Sequence, residues 1–200
     1  MQAAVSSTHY EVRCTDGIVL LDLAADSYSC RYDAAPDPEP AGEPARPRWR
    51  DGPRPSDLPL HAWDVMCFVR AYAGALVSFP RRPLRKLLLQ DSAGAMPSRA
   101  DRLGASAASR FGKQSSLIAL AARFERMSLY LPFRAPCLLK AFVLRRYLRL
   151  NGHDADWIVG VQLFPFRAHC WLAVGDLLIG ERAHLIEDYV PIVRHSRVQL

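Results

Sequence analysis

The 200-residue chain lacks any apolar run near the ~20 residues that cross a bilayer. It has no CxxC pair, no zinc-finger spacing and no GxxxxGK[ST] loop for phosphates. No aromatic-interleaved basic motif of the RNA-binding kind is present, and no internal repeat. His153, His169, His184 and His195 show no ligand spacing with Cys or carboxylates, so no metal site is expected. Met1 is followed by a short polar stretch rather than a charged and then apolar signal segment. These absences argue against a membrane span, a zinc module, a P-loop enzyme and a repeat array. They lead to the expectation of a cytoplasmic chain whose five cysteines stay reduced.

The net charge of +6 comes mainly from arginine. These residues are scattered, which reads as a solvated surface rather than a nucleic-acid footprint. Half of the residues are hydrophobic, enough to build the core of one medium domain or two small ones.

Residues 9–13, 18–23 and 28–32 alternate as short strands around Thr15-Asp16-Gly17 and Ala25-Asp26-Ser27 turn signals. They predict a three-stranded antiparallel meander. Residues 34–59 carry prolines at 36, 38, 40, 44, 47, 53, 55 and 59, which predicts a loop or partly disordered linker rather than core. Residues 61–90 read as one or two helices, with Trp63, Val65, Met66, Val69, Tyr72, Ala73 and Leu76 at helical spacing. Residues 92–109 read as a loop or weak helix. Residues 115–130 form a clearer amphipathic helix through Leu117, Leu120, Ala121, Phe124 and Met127. Pro136-Cys137 opens a further helix that stops at Asn151-Gly152. Three strands follow, over 155–162, 169–174 and 177–179. Helices followed by an antiparallel meander predict an α+β fold.

Cys137 stands at a helix start, where free N–H groups and the helix dipole favour a thiolate. Only the thiolate attacks a carbonyl efficiently, and the same N–H groups can hold an oxyanion. A lone cysteine there is more often a small buried hydrophobe, so the assignment needs a partner. His169, at the start of a strand able to pack beside the helix, can take the thiol proton and return it to a leaving amine. An acid is then needed to orient the imidazole; the candidates are Asp176, Glu181 and Asp188. Asp176 lies in a turn, whereas Glu181 follows the third strand after Gly180 and can reach back across the sheet. Cys170 alternates to the strand face opposite His169 and reads as packing.

The helix that begins Cys137-Leu-Leu-Lys-Ala-Phe-Val-Leu resembles the nucleophile helix of lasso-peptide B-proteins, leader peptidases of the transglutaminase-like (papain-like) cysteine protease class. The continuation Trp157-Ile-Val-Gly-Val, the Pro165-Phe pair and His169-Cys-Trp171 extend the likeness over roughly residues 134–192. Asp16-Gly-Ile-Val-Leu-Leu-Asp22 resembles the opening strands of that family's small winged-helix-like leader-recognition module. The resemblance implies a module over 1–90, including the proline-rich loop, and a protease domain over 91–200. It implies a Cys–His–acid triad in which Cys137 is nucleophile and His169 general base; the family's Asp is replaced by Glu181, with Asp176 as rival. It also implies a precursor peptide as substrate, bound through its leader by strand addition. An asparagine-synthetase-like cyclase is the implied partner; no cofactor-binding motif is visible in this chain, and ATP can enter through that partner. Acyl transfer through the same thioester and non-catalytic precursor binding are the competing functions.

Overall fold

The computed structural model describes residues 9–14, 17–32, 47–53, 55, 58–78, 107–131 and 135–195. The chain opens with β1 (His9–Cys14), β2 (Gly17–Asp22) and β3 (Ser27–Tyr32), an antiparallel sheet in the order β1-β2-β3. Strand β2 alternates as its sequence does, with Val19 and Leu21 buried beneath it. At the β2–β3 turn the Asp22 carboxylate accepts the N–H groups of Ala24 and Ala25 at 2.8 and 3.2 Å, tying the turn to its own strand.

Three helices follow among the described residues: α1 (Ala62–Ser78), α2 (Ala107–Ser128) and α3 (Cys137–Leu150). They share an aromatic core in which Phe124 lies 5.3 Å from Phe68 and 5.6 Å from Tyr147. The spacing anticipated for α2 holds, with Leu117, Leu120, Ala121, Phe124 and Met127 all buried. Helix α1 is turned relative to expectation. Trp63, Val65, Met66, Val69, Ala73 and Leu76 are exposed, and the buried face is Asp64, Cys67, Phe68, Ala71, Tyr72 and Ala75. This helix is apolar on nearly every side, so spacing alone selects no face. Asp64 selects it: its carboxylate accepts the His61 N–H at 3.0 Å and the Tyr147 hydroxyl at 3.2 Å. A buried carboxylate with these partners fixes the helix rotation more tightly than any one leucine.

Strands β4 (Asp156–Gln162), β5 (Arg167–Val174), β6 (Leu177–Ile179) and β7 (Val190–His195) form a second antiparallel sheet in the order β6-β5-β4-β7. The short helix α4 (Ala183–Ile186) precedes β7. One sheet face, with Trp157, Val159, Cys170, Leu172 and Ile179, joins the helical core. The other carries Ile158, Trp171 and Leu178, packed with Ile186, Trp49 and Tyr189. Helices over antiparallel sheets make the fold α+β. The two sheets meet where Tyr28 and Tyr32 of β3 contact Phe166 and Phe164, with ring centroids 5.5 and 5.2 Å apart.

Among the described residues, the proline-rich segment departs from expectation around Trp49. Trp49 packs edge-on against Trp171 at 5.9 Å. Arg50 bridges to β6, donating its N–H to Asp176 O and accepting that of Leu178, both at 2.9 Å. Trp49, Arg50 and Asp51 stand between Pro47 and Pro53 and so keep their N–H donors, which is why a β bridge is possible there and not at the prolines. The Asp51 carboxylate then accepts the Ala183 N–H at 2.7 Å, ahead of α4. The expected boundary at 90/91 and residues 79–90 of the expected helical stretch lie outside the described residues. Among the described residues no helix is long and apolar enough to cross a membrane.

Candidate active site

Helix α3 begins at Cys137 with Pro136 at its N-cap and no side-chain cap. The first backbone bond runs from the Lys140 N–H to the Pro136 carbonyl at 2.9 Å, so the N–H groups of Cys137, Leu138 and Leu139 precede the helical ladder. At the far end Gly152 takes a φ of +79°, and the His153 N–H closes onto the Leu148 carbonyl at 3.0 Å. The Asn151-Gly152 stop is therefore a left-handed C-cap, as its sequence indicates.

Strand β5 delivers His169 to this helix start. Along β5, strand β6 reaches only Leu172–Val174, so among the described residues no strand pairs with that edge at His169 and Cys170. Immediately after β6, Gly180 turns with a φ of +70°, a conformation glycine adopts without strain. A side chain there would also meet Leu144 Cδ2 at 2.8 Å. The turn carries Glu181 back to His169, where its Oε2 lies 3.1 Å from Nε2. Lys140 steadies the turn from α3 by donating to the Gly180 carbonyl at 3.3 Å. Cys137, Lys140, Leu144, His169, Trp171 and Glu181 line one shallow cleft.

The charges in that cleft depend on one another. A hydrogen bond from Cys170 and another from His169 bring the Cys137 thiol down to about 4, against the opposing effect of burial. Cys137 and then Glu181 raise His169 to about 9. Burial opposes ionisation of Glu181, but the His169 hydrogen bond and the Lys140 charge outweigh it, and the carboxyl titrates below its ordinary value. Between these limits the stable form is a thiolate facing an imidazolium. With Nε2 taken by Glu181, Nδ1 is the ring nitrogen left for Cys137.

The structure thus brings together Cys137, His169 and Glu181, and places the rival acid elsewhere. Asp176 is exposed in its turn and bound to the Arg50 guanidinium, with Nη2 at 2.8 Å from Oδ1. Asp188 is exposed ahead of β7. Cys170 does point away from His169, toward the helical core, but its sulfur lies 3.8 Å from that of Cys137. The packing role expected of it omits this contact. Strand alternation carries the missing signal once α3 is known to cover that face.

The imidazole is supported from behind. Trp171 stacks near His169, with centroids 6.1 Å apart and planes 24° apart, and Tyr189 lies 5.6 Å from the same ring. The indole crosses β4 at Gly160, where a Cβ would fall 2.4 Å from the ring and 3.2 Å from Tyr189 Cβ. Gly160→Ala is therefore expected to displace Trp171 and destabilise the fold by roughly 1–3 kcal/mol. Urea unfolding checks this, and an unchanged midpoint would refute the tight fit.

Residues 75–194 match the transglutaminase-like superfamily, a span from within α1 to β7 that contains Cys137, His169 and Glu181 and leaves out β1–β3. The microcin J25-processing protein McjB of Escherichia coli is 32% identical over 53 residues, 26% of this chain and 26% of that protein. The match thus spans about a quarter of the curated relative's length. No solved structure matches. The likeness to lasso-peptide B-proteins read from the Cys137 and His169 segments agrees with both findings. The family match covers more than half of the sequence, and the chain belongs to the transglutaminase-like superfamily.

Proposed function

We propose that this chain is a cysteine endopeptidase that removes the leader from a lasso-peptide precursor. One arrangement carries the reading: the Cys137 sulfur at an uncapped helix start, His169 beside it, and Glu181 3.1 Å from the imidazole. The thiolate attacks the scissile carbonyl carbon, and first-turn N–H groups of α3 receive the oxyanion. His169 gives its proton to the departing amine. Neutral His169 then takes a proton from water, the water oxygen attacks the thioester, and the thiolate is released beside a regenerated imidazolium. Glu181 keeps the ring oriented throughout.

The N-terminal sheet supplies the substrate tether. Among the described residues β3 is an edge strand of mostly exposed residues, able to accept an added strand from the leader. Tyr28 on that strand is close enough to Cys137 to feel its thiolate charge, so a leader lying along β3 runs toward the cleft. Tethering then raises the local concentration of the scissile bond. In this reading the winged-helix-like description belongs to the 1–90 module. A separate asparagine-synthetase-like cyclase uses ATP to join the freed amine to a side-chain carboxylate. The reaction belongs in the cytoplasm, where free thiols persist.

Among the described residues the cleft is open, and water that reaches the thioester there gives hydrolysis rather than acyl transfer. A binding-only chaperone has no use for a thiolate beside an oriented imidazolium. Mass spectrometry of a cognate precursor after incubation is expected to give two fragments whose masses sum to the precursor plus one water. An intact precursor, or a new amide with loss of an amine, would refute leader hydrolysis. Glu181→Gln is expected to slow this cleavage roughly 10- to 100-fold, because the imidazolium loses its anionic partner. Asp176→Asn, which breaks only an exposed pair with Arg50, should leave the rate within about twofold. The opposite ranking would move the orienting role to Asp176.

A further inference from the structure

The mechanism above makes no use of Cys170, yet this residue touches the sulfur on which the mechanism depends. The two Sγ atoms lie 3.8 Å apart, with Cys170 placed to donate. Cys170 is 7% exposed, so water does not compete for its S–H. It sits between His169 and Trp171 on β5, and consecutive residues of a strand leave it on opposite faces. His169 and Cys170 therefore reach the Cys137 sulfur from two directions. An imidazolium offers a thiolate one N–H from Nδ1; a sulfur held by that contact alone can still rotate about it. We propose that Cys170 is a positioning residue whose thiol donates to the Cys137 thiolate and fixes the sulfur in its attacking orientation. The inference rests on Cys137 being the nucleophile.

The asymmetry between the two thiols supports this division of roles. Cys137 is at the half-buried helix start beside a cation, whereas Cys170 is enclosed among Cys137, Trp157 and Leu172 in the core. Its contact with Cys137 and its burial both push Cys170 upward, so it keeps its proton while Cys137 loses one. The backbone N–H of Cys170 also reaches the Cys137 sulfur, at the edge of β5 that β6 leaves open. A charge-assisted hydrogen bond in a site of low dielectric is worth more than the same bond in water. A residue that only filled space would need no donor.

The test is the pH dependence of iodoacetamide alkylation at Cys137, quantified on its own peptide by mass spectrometry, in the native protein and two variants. Cys170→Ala is expected to move the acid limb up by about one pH unit, an approximately tenfold slower alkylation on that limb. Cys170→Ser retains an O–H donor and should keep the limb close to native. Superimposable limbs in native protein and Cys170→Ala, or equal shifts in Ala and Ser, would overturn the proposal. Should the alanine variant not fold, the infrared S–H band of the native protein that Cys170→Ser removes carries the test. It is expected to move to lower frequency as Cys137 ionises, and a band indifferent to that step would overturn the proposal. A native limb at an ordinary thiol pKa would instead overturn the nucleophile assignment, and this inference with it.

Discussion

Cys137→Ala is expected to reduce precursor cleavage by roughly ten-thousandfold or more, since the proposed nucleophile is removed. Neither of the two buried thiols can take over. Cys170 is the nearest sulfur, but it is buried and held in its protonated form. Cys67 is buried in α1, and its thiol is raised by burial and by Asp64. The substitution should leave the fold nearly as stable as before, because Cys137 is only partly buried at a helix start and alanine suits a helix. Single-turnover cleavage followed by mass spectrometry, with circular dichroism as the control for folding, checks both halves. Residual cleavage within tenfold of native in a folded variant would exclude Cys137 as the nucleophile.

The second large effect is expected at His169. His169→Ala should slow cleavage roughly a thousandfold by removing the proposed proton donor for the leaving amine. It should also change the thiol. Without the imidazolium, Cys137 loses its cationic neighbour and moves back toward the ~8.5 of a free cysteine. Alkylation at pH 6 should then fall by roughly a hundredfold, because few of the thiols remain ionised. Near pH 9 and above, the variant and native rates should converge as both sulfurs become thiolates. A histidine that merely packed against Trp171 would give no such crossing. Equal alkylation at pH 6 would therefore remove His169 from the pair while leaving Cys137 unaffected.

The geometry of the candidate site was legible in the sequence to the extent that it depends on local rules. Leu138, Leu139, Phe142 and Tyr147 mark α3, and Pro136 with Gly152 delimits it, so Cys137 could be placed at a helix start without coordinates. Period-two alternation and turn dipeptides marked β1–β3 in the same way. The short Leu177–Ile179 strand and the glycine after it put Glu181 within reach of His169, where the structure has it. Long-range facts were not legible. The Cys137–Cys170 contact depends on which sheet face α3 covers, and periodicity is silent on that. The rotation of α1 is set by Asp64 meeting Tyr147, which is 83 residues away in sequence. The Arg50 bridge to β6 arises because a short edge strand accepts a partner from a segment whose composition reads as linker.

The account depends on a thiolate–imidazolium pair at rest, and its pH range can be measured directly. The signs follow from the two shifts. Cys137 is lowered to about 4, so acid removes the nucleophile only below that point. His169 is raised to about 9, so alkali removes the proton donor only above that point. The most direct measurement is the rate of iodoacetamide alkylation at Cys137 in the native protein from acid to alkaline pH. The account predicts a rise centred near pH 4 and a sustained high rate through neutrality. A rate that stays low through neutrality and rises only around ~8.5, as for an unassisted cysteine, would contradict it.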